Sequence, residues 1–350
     1  MRAVSGLVLA TVLMGVLGAS AGDPGPIDVT LYLIGDAGVP RQGFEPVLAA
    51  LTREAGADSG AGTERVIVFL GDNIYPVGMP ARNDPERGEA ERRINDQMAV
   101  SRTGARTIFV PGNHDWDAER AGGWDAIRRE GEYIQRASGG RVLLLPAGGC
   151  PGPVVVDVGQ RVRLVLLDTQ WWLQHGPKPD SPSSGCATYT ADGVSDSVHA
   201  ALVGATAAGR VALILGHHPI ESGGLHSGRR FVVGLAQRLL RSDQDVYGPL
   251  NQAMRTALER AFTPTEPLVY ASGHDHSLQV ISDYGRHLLV SGAGAYGHLD
   301  AVHKIDSTHF DDRASGYMRL DFFRSGQVRL GVHLVNAYGT IREAYTETWK

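Results

Sequence analysis

The sequence predicts an α/β (α+β) fold, a four-layer αββα sandwich of two mixed sheets flanked by helices, and three observations lead to it. Short, continuously apolar runs alternate with amphipathic stretches, as expected when strands are buried on both faces and helices cover them. Several runs end in glycine-containing clusters of Asp, Asn and His, which are typical of sites at the carboxyl ends of strands. Other runs are paired around short turns, which predicts hairpins and hence a second sheet.

Five apolar runs are predicted strands that each lead into such a cluster. They cover residues 29–34, 66–70, 107–110, 211–215 and 267–271. The first two are followed by stretches with helical spacing of apolar residues, over 44–55 and 86–100. This order of strand, loop and helix brings the clusters to one edge of the sheets.

Two further pairs of runs are predicted hairpins. Residues 154–158 and 162–167 flank a Gly-Gln turn, and residues 317–323 and 328–335 flank a Ser-Gly-Gln turn. Residues 22–350 contain no internal repeat and no clear linker. We therefore predict a single domain with a C-terminal β-hairpin.

The composition is that of an ordinary globular protein. Of 350 residues, 43% are hydrophobic and 20% are charged, which allows a sizeable core and argues against disorder, collagen and coiled coil. The formal net charge is -5, with 33 Lys and Arg against 38 Asp and Glu. The chain therefore lacks the basic surface that sequence-independent nucleic-acid binding requires, and we expect no nucleic-acid scaffold as a partner.

The amino terminus has the pattern of a secretory signal peptide. Arg2 supplies a positive charge, an apolar run follows over residues 7–17, and an Ala-Ser-Ala sequence ending at Ala21 matches a cleavage site. The alternative is a membrane anchor, but the run is shorter than the roughly 20 residues that span a bilayer. We predict cleavage of residues 1–21, export to the periplasm or the extracellular medium, and no stable membrane span.

The two cysteines fit an exported protein, because disulfides persist in oxidising compartments. Cys150 and Cys186 both lie in loops rich in Gly, Pro and Ser. We predict one disulfide between them, with two free thiols as the alternative.

The clusters together predict a metal site. One alone is weak evidence, because Gly-Asp after a strand is usually a turn in which Asp bonds its own backbone. Five in succession combine carboxylate, amide and imidazole groups, a mixed set of ligands suited to first-row transition metals. They are Gly35-Asp36-Ala37-Gly38, Gly71-Asp72-Asn73-Ile74-Tyr75, Gly112-Asn113-His114-Asp115, Gly216-His217-His218 and Gly273-His274-Asp275-His276.

These motifs resemble those of the calcineurin-like metallophosphoesterases and, within them, the purple acid phosphatases. The resemblance covers about residues 29–297. The stretch 273–279, followed by Ser-Gly-Ala-Gly at 291–294, is similar to the small, tartrate-resistant type. Ordinary members of the superfamily carry Asp-x-His in the first motif, whereas Gly38 stands here in place of that His, and Tyr75 ends the second motif as in the purple subgroup.

The resemblance implies a dinuclear metal site at the carboxyl ends of strands and assigns its ligands. One metal is bound by Asp36, Tyr75 and His276, the other by Asn113, His217 and His274, and Asp72 bridges the two. His218 is an alternative ligand to its neighbour His217, but it aligns less well.

Charge balance indicates which metals these are. Two divalent ions carry about +4, while Asp36, Asp72, a tyrosinate and a bridging hydroxide carry about -4, which leaves little attraction for phosphate. A trivalent ion restores about one positive charge. A phenol with an ordinary pKa of about 10 also needs a strong Lewis acid to bind as phenolate. We predict Fe(III) at the Tyr75 side, with Fe(II), Zn(II) or Mn(II) beside it.

The resemblance also implies how an ester is cleaved. A hydroxide generated at the metals attacks phosphorus in line, and His114, next to Asn113, donates a proton to the leaving group, with Asp115 as an orienting partner. His226 follows His217 by nine residues, as does a His in the small purple acid phosphatases that assists substrate or leaving-group binding. The alternative for His226 is a solvated loop residue.

The function that follows is an exported phosphatase acting on small phosphate monoesters, including those of a phosphoprotein or a nucleotide. No partner protein is evident from the sequence. A phosphodiesterase or nucleotide hydrolase is the alternative within the enzyme class. A metal-binding surface protein without catalysis is the alternative outside it. A redox reaction of the iron pair with peroxide is a further alternative that the ligands alone leave open.

Overall fold

The structure is a computed structural model that describes residues 24–58, 62–227, 243–283 and 285–350. Its strands form two seven-stranded sheets that pack face to face, and helices cover both outer faces. The prediction of two mixed sheets flanked by helices is confirmed. The predicted signal peptide, residues 1–21, lies outside the described residues.

The first sheet joins strands from both ends of the chain, numbered here in chain order. In spatial order it consists of β14 (Ile341–Trp349), β13 (Val328–Val335), β12 (Gly316–Phe323), β1 (Ile27–Ile34), β2 (Glu64–Phe69), β3 (Arg106–Phe109) and β4 (Val142–Leu144). The strands β1 to β4 are parallel, and β12 to β14 extend the sheet from β1 in antiparallel order. The predicted C-terminal hairpin is β12 and β13.

The second sheet is built from the middle of the chain. In spatial order it consists of β11 (Thr308–Asp312), β9 (Leu278–Asp283), β10 (Arg286–Ser291), β8 (Val269–Ser272), β7 (Val211–Leu215), β6 (Val162–Leu166) and β5 (Val154–Val158). The strands β6, β7, β8 and β10 are parallel, while β5, β9 and β11 are antiparallel to their neighbours. The predicted first hairpin is β5 and β6.

The α-helices of the described residues form the two outer layers. On the first sheet lie α1 (Pro46–Ala57), α2 (Arg87–Met98) and α3 (Gly123–Ser138), and on the second lie α4 (Gln170–Leu173), α5 (Ala191–Ala207) and α6 (Pro249–Phe262). The strand β1 illustrates why a buried strand carries apolar residues on both faces. Leu31 and Leu33 face the core between the sheets, whereas Tyr32 and Ile34 face the helices. A strand covered on both faces needs apolar residues at every position.

Cys150 and Cys186 form a disulfide with 5.5 Å between their Cα atoms, which confirms the predicted pairing. The bond joins the loop before β5 to the loop before α5. Within the described residues, every helix is too short or too polar to pass through a lipid bilayer.

A buried polar cluster attaches α1 to the outer face of the first sheet. Tyr317 donates a hydrogen bond to Glu54, Arg319 Nη1 lies 2.8 Å from Glu54 Oε1, and His333 Nδ1 lies 3.0 Å from Glu54 Oε2. Burial alone would raise the pKa of Glu54, but the contacts with His333, Tyr317 and Arg319 lower it to about 2. The cluster therefore stabilises the fold as long as Glu54 is ionised.

We expect Glu54→Gln to lower the free energy of unfolding by about 2 kcal/mol near neutral pH, because the substitution removes a charge that buried partners require. The folded pKa lies below the ordinary value of 4.5. The stabilisation is therefore present above that pH and is lost as the pH falls toward about 2. Urea unfolding across this range measures the difference, with Glu132→Gln on the exposed face of α3 as the control. A difference between wild type and variant that does not shrink at low pH would contradict this account.

Candidate metal centre

The predicted ligands meet where five strands end. Asp36 follows β1, Asp72 and Tyr75 follow β2, Asn113 follows β3, His217 follows β7, and His274 and His276 follow β8. The first sheet supplies the carboxylates, the phenol and the amide, and the second sheet supplies the imidazoles. The structure thus brings together all seven residues that the resemblance implied.

One half of the cluster is centred on Tyr75. Its hydroxyl oxygen lies 3.0 Å from Asp36 Oδ1, 2.9 Å from Asp72 Oδ2 and 3.0 Å from His276 Nε2. His276 Nε2 is in turn 3.5 Å from Asp36 Oδ1. Four side chains that could bind a metal, one phenol, two carboxylates and one imidazole, therefore converge on one point.

The other half is centred on Asn113. Its Oδ1 lies 2.9 Å from His217 Nε2 and 3.1 Å from His274 Nδ1, and these two nitrogens are 3.3 Å apart. Asp72 joins this half through Oδ1, which is 3.4 Å from His217 Nε2. Asp72 therefore offers one carboxylate oxygen to each half, as a bridging ligand would.

The outer ring nitrogen of each histidine predicted to be a ligand is held by an oxygen acceptor. His217 Nδ1 lies 2.8 Å from the Leu70 carbonyl, His274 Nε2 lies 3.0 Å from the Gln244 carbonyl, and His276 Nδ1 lies 2.8 Å from Asp300 Oδ2. Such contacts fix the tautomer and the direction of the ring in metal sites. They leave the inner nitrogen of each ring free to bind a cation.

The neighbouring His218 has both ring nitrogens engaged elsewhere. Nδ1 lies 2.9 Å from Thr169 Oγ1, and Nε2 lies 2.6 Å from Gln244 Oε1. By distance alone, His217, His218 and His274 form a group that could hold an ion. The hydrogen bonds favour His217 as the ligand, because its Nε2 faces the other donors.

The cluster contains carboxylates that lack strong positive partners. Asp36 and Asp72 are 0% and 1% exposed. Among the described residues, their ion-pair partners are histidines and include no Lys or Arg. Buried carboxylates need a positive charge, and carboxylate, phenol, imidazole and amide donors together suit a transition metal. The side chains present therefore fit the metals that the resemblance implies. By distance alone, Asp36, Asp72 and His217 also form a group that could hold an ion.

The pKa values reflect the same excess of negative charge. Burial and the charges of Asp36 and Asp72 raise the pKa of Tyr75 well above its ordinary value. Burial alone would lower the pKa of His217 and of His276, but the charge of Asp72 raises the first to about 9, and Asp36 raises the second to about 9. Protons on these imidazoles balance the carboxylates, and bound metal ions would displace them.

The backbone of the ligand loops is unusual. The φ angle is 57° at Asp36, 55° at Asp72 and 70° at His274, a left-handed conformation that is uncommon outside glycine and is concentrated at functional sites. The loops also pack closely. A Cβ atom on Gly38 would lie 2.5 Å from the carbonyl oxygen of Asp72 and 2.5 Å from the carbonyl carbon of Asn73. The first motif therefore has no room for the His of the Asp-x-His pattern.

His114 lies at the edge of the cluster with one ring nitrogen directed to it. Nε2 is 3.9 Å from Asp72 Oδ2, and the ring centre is 4.2 Å from that of Tyr75. Nδ1 lies 2.6 Å from the carbonyl oxygen of Pro76. With 27% of the side chain exposed, Nε2 can exchange a proton with a molecule bound at the cluster.

Asp115 has a different role from the one expected. Its carboxylate is fully buried and accepts hydrogen bonds from the backbone nitrogens of Gly112 and Asn73, both at 2.8 Å. The Pro76 carbonyl, and not Asp115, holds the ring of His114. The expectation that Asp115 orients His114 is therefore corrected, since Asp115 instead holds the second and third ligand loops together.

His226 lies at the rim beside the Asn113 half. Its ring centre is 4.3 Å from that of His274, and its Nδ1 lies 3.2 Å from Asp245 Oδ1. The backbone nitrogen of His226 donates a hydrogen bond of 2.9 Å to the buried carboxylate of Asp275. Burial alone would lower the pKa of His226, but Asp245 and Asp275 raise it. The structure thus places His226 next to the predicted ligand His274, at the edge of the cluster.

Three residues at the centre were not predicted. Asp300 and Gln244 hold ligand rings from outside, as described above. His298 packs with its ring centre 4.1 Å from that of His276 and 4.9 Å from that of Tyr75. Each lies in a loop that contains none of the five motifs. The glycine-rich run before His298 was the one sequence feature near any of them.

Comparisons with known proteins agree with this fold. The family model described as calcineurin-like phosphoesterase matches residues 29–278. A comparison with curated proteins finds no match.

Solved structures resemble most of the chain. GAP50, described as the anchor in the inner membrane complex of Plasmodium, has a TM-score of 0.59 and 17% identity, over 92% of this chain and 88% of its own. The purple acid phosphatase PPD1 from yellow lupin (Lupinus luteus) seeds has a TM-score of 0.58 and 13% identity, over 93% of this chain and 54% of its own, so this chain spans about half of its length. A dimetal phosphatase from Danio rerio has a TM-score of 0.53 and 13% identity, over 92% and 99%. At these identities the similarity shows a shared fold.

Proposed function

The chain belongs to the calcineurin-like phosphoesterase family, and from this premise we propose that it is a metal-dependent phosphatase that hydrolyses small phosphate monoesters. The observation that carries the proposal is the position of His114, with Nε2 facing the cluster at Asp72 and Nδ1 held by the Pro76 carbonyl. A cluster with a purely structural role has no use for an accessible imidazole at its edge.

The seven clustered residues would hold two metal ions. Asp36, Tyr75 and His276 would bind one, Asn113, His217 and His274 the other, and Asp72 would lie between them. Such a pair supplies positive charge for the phosphate oxygens and an activated water as nucleophile. His114 would donate the proton on Nε2 to the leaving oxygen, and His226, beside His274, would donate a hydrogen bond to the bound ester.

We propose further that the metal at the Tyr75 side is Fe(III), paired with Fe(II), Zn(II) or Mn(II). The support is the position of the phenol beside two buried carboxylates, because burial and the charges of these carboxylates hold its pKa well above the ordinary value. A phenol in such surroundings loses its proton only to a strong Lewis acid.

Tyr75→Phe is expected to abolish an absorption band in the visible, because the band requires a tyrosinate bound to ferric iron. The measurement is a visible spectrum of purified protein together with its metal content. Tyr338→Phe, at a position that is 86% exposed, is the control and should keep the band. A colourless wild-type enzyme that is fully metallated and active would exclude ferric iron at this position.

We propose that the protein is exported after cleavage near Ala21. The disulfide between Cys150 and Cys186 supports this, since such bonds are stable mainly in oxidising compartments. Amino-terminal sequencing of the protein recovered from the periplasm or medium tests it. An uncleaved chain retained in the cytoplasm would overturn it.

The proposed reaction is tested with 4-nitrophenyl phosphate and bis(4-nitrophenyl) phosphate, a monoester and a diester of the same alcohol, on protein of known metal content. We expect kcat/KM to be higher for the monoester by at least about tenfold. A preference for the diester would favour a phosphodiesterase. The similarity to the Plasmodium anchor makes a binding protein the second candidate, and metal-replete protein that cleaves neither ester would favour it.

A further inference from the structure

A surface formed by Arg41, Tyr296 and His298, here called the Arg41 subsite, adjoins the metal centre and has no part in the proposed reaction. The guanidinium carbon of Arg41 lies 4.4 Å from the ring centre of Tyr296. Two residues further along the chain, His298 packs against Tyr75 and His276, with ring centres 4.9 Å and 4.1 Å apart. The chain segment 296–298 therefore runs from the Arg41–Tyr296 pair to the Tyr75 half of the cluster.

The guanidinium of Arg41 is available to a ligand. Arg41 is exposed, and within the described part of the chain its side chain contacts Tyr296 and pairs with no carboxylate. By contrast, Arg92 and Arg93 on the nearby helix α2 are both paired with Glu89, at 2.6 and 2.9 Å. A stacked guanidinium without a partner presents several N–H donors in one plane, an arrangement suited to an anion with two oxygens.

A buried carboxylate holds the backbone of the subsite in place. The carboxylate of Glu45, which is 7% exposed, accepts hydrogen bonds of 3.0 Å from the backbone nitrogens of both Arg41 and Tyr296. It also accepts a bond of 3.2 Å from Val47, in the first turn of α1. One buried carboxylate thus joins the loop after β1 to the loop after β10. A site held in its bound geometry loses less entropy when a ligand arrives.

The position of the subsite suggests which part of a substrate reaches it. The Tyr75 ring packs with both His114 and His298, whose ring centres are 4.2 Å and 4.9 Å away. His114 is the proposed proton donor, so the leaving alcohol lies over this side of the cluster. Gly297, the residue before His298, lies close to Arg41, because a Cβ atom placed on it would be 3.8 Å from Arg41 Nη2. A leaving group that extends from His114 past Tyr75 and His298 would approach Arg41.

We propose that Arg41, stacked on Tyr296 beside His298, binds a second anionic group carried by the leaving alcohol. The preferred substrates are then phosphate monoesters whose alcohol bears its own carboxylate or phosphate. The inference rests on the proposed function, since it specifies the substrate class of the same centre. Tyr296 and His298 provide the apolar walls between the two charged groups.

The experiment compares two monoesters of closely similar shape that differ mainly in charge, 4-carboxyphenyl phosphate and its neutral amide 4-carbamoylphenyl phosphate. We expect the wild type to prefer the carboxylate by about tenfold in kcat/KM, since one charge-assisted pair contributes about that factor. In Arg41→Gln the preference should fall to about unity. In Arg41→Lys, which keeps the charge and loses the planar stacking, an intermediate preference is expected. The 1,4-bisphosphate of the same ring separates a preference for phosphate from one for carboxylate.

Arg141→Gln is the control. Arg141 is also exposed, but it immediately precedes β4. It therefore lies at the amino ends of the parallel strands, whereas the metal centre lies at their carboxyl ends. This variant should keep the wild-type preference. Thermal unfolding of all variants shows whether each is folded.

Two outcomes would overturn the inference and leave the proposed function intact: a wild type that cleaves both esters equally, or an Arg41→Gln protein that keeps the preference. A wild type that cleaves neither ester overturns the proposed function instead. In that case calorimetric Kd values of the two esters test whether Arg41 binds the second anionic group. Tighter binding of the carboxylate ester by the wild type, lost in Arg41→Gln, would support this role. Equal Kd values in the wild type would refute it.

Discussion

Asp72→Asn is expected to prevent the binding of both metal ions and to lower kcat/KM for a phosphate monoester by at least about a thousandfold. Asp72 contacts both halves of the cluster, through Oδ2 at 2.9 Å from the Tyr75 hydroxyl and Oδ1 at 3.4 Å from His217 Nε2. Asparagine preserves the shape of the side chain and removes the negative charge that two cations would share. Metal analysis and steady-state kinetics measure the two effects.

Thermal unfolding gives a second readout of this prediction. Added metal should raise Tm of the wild type, because an ion that binds only the folded chain stabilises it. It should leave Tm of Asp72→Asn unchanged. Asp125→Asn, at an exposed position on α3, is the control and should respond like the wild type. An Asp72→Asn protein that binds two ions and responds to metal would refute the bridging role.

His114→Gln is expected to lower kcat by about 10² to 10⁴-fold with no loss of bound metal, because glutamine cannot supply a proton from the position of Nε2. The loss should be larger for an alkyl phosphate than for 4-nitrophenyl phosphate. An alkoxide leaves poorly without a proton, whereas 4-nitrophenolate leaves readily. Kinetics with both esters on metal-replete protein test this dependence on the leaving group.

His309→Gln serves as the control, since His309 lies on the edge strand β11 with 41% of its side chain exposed. It should retain wild-type rates with both esters. An equal loss for both esters in His114→Gln would show that His114 positions the substrate without transferring a proton.

The parallel strands and the residues that follow them were predictable because both depend on local sequence. A strand covered on both faces must be apolar where it is buried, as β7 is along its whole length and β2 is from Val66 onward, and the loop at its end then stands out as polar. The strand β14 was not predicted, for the opposite reason. It is an edge strand with exposed charged residues such as Arg342 and Glu343, so it has no apolar run.

The surroundings of the predicted ligands were not predictable, because they depend on contacts between distant parts of the chain. Asp300 holds His276 across 24 residues, and the Gln244 carbonyl holds His274 across 30. The error for Asp115 has the same origin. Adjacency to His114 in sequence suggested a partnership, whereas the fold turns the carboxylate of Asp115 inward to the backbone of Gly112 and Asn73.

The tight packing at Gly38 has a consequence for how the ligand patterns of this family can change during evolution. A histidine at this position would place its Cβ atom 2.5 Å from the backbone of the Asp72 loop, so the loop that carries Asp72 and Tyr75 would have to move as well. A single codon change therefore yields a damaged centre and not a working intermediate. We expect descendants of this chain to keep Gly38 and Tyr75 together or to replace both along with the loop.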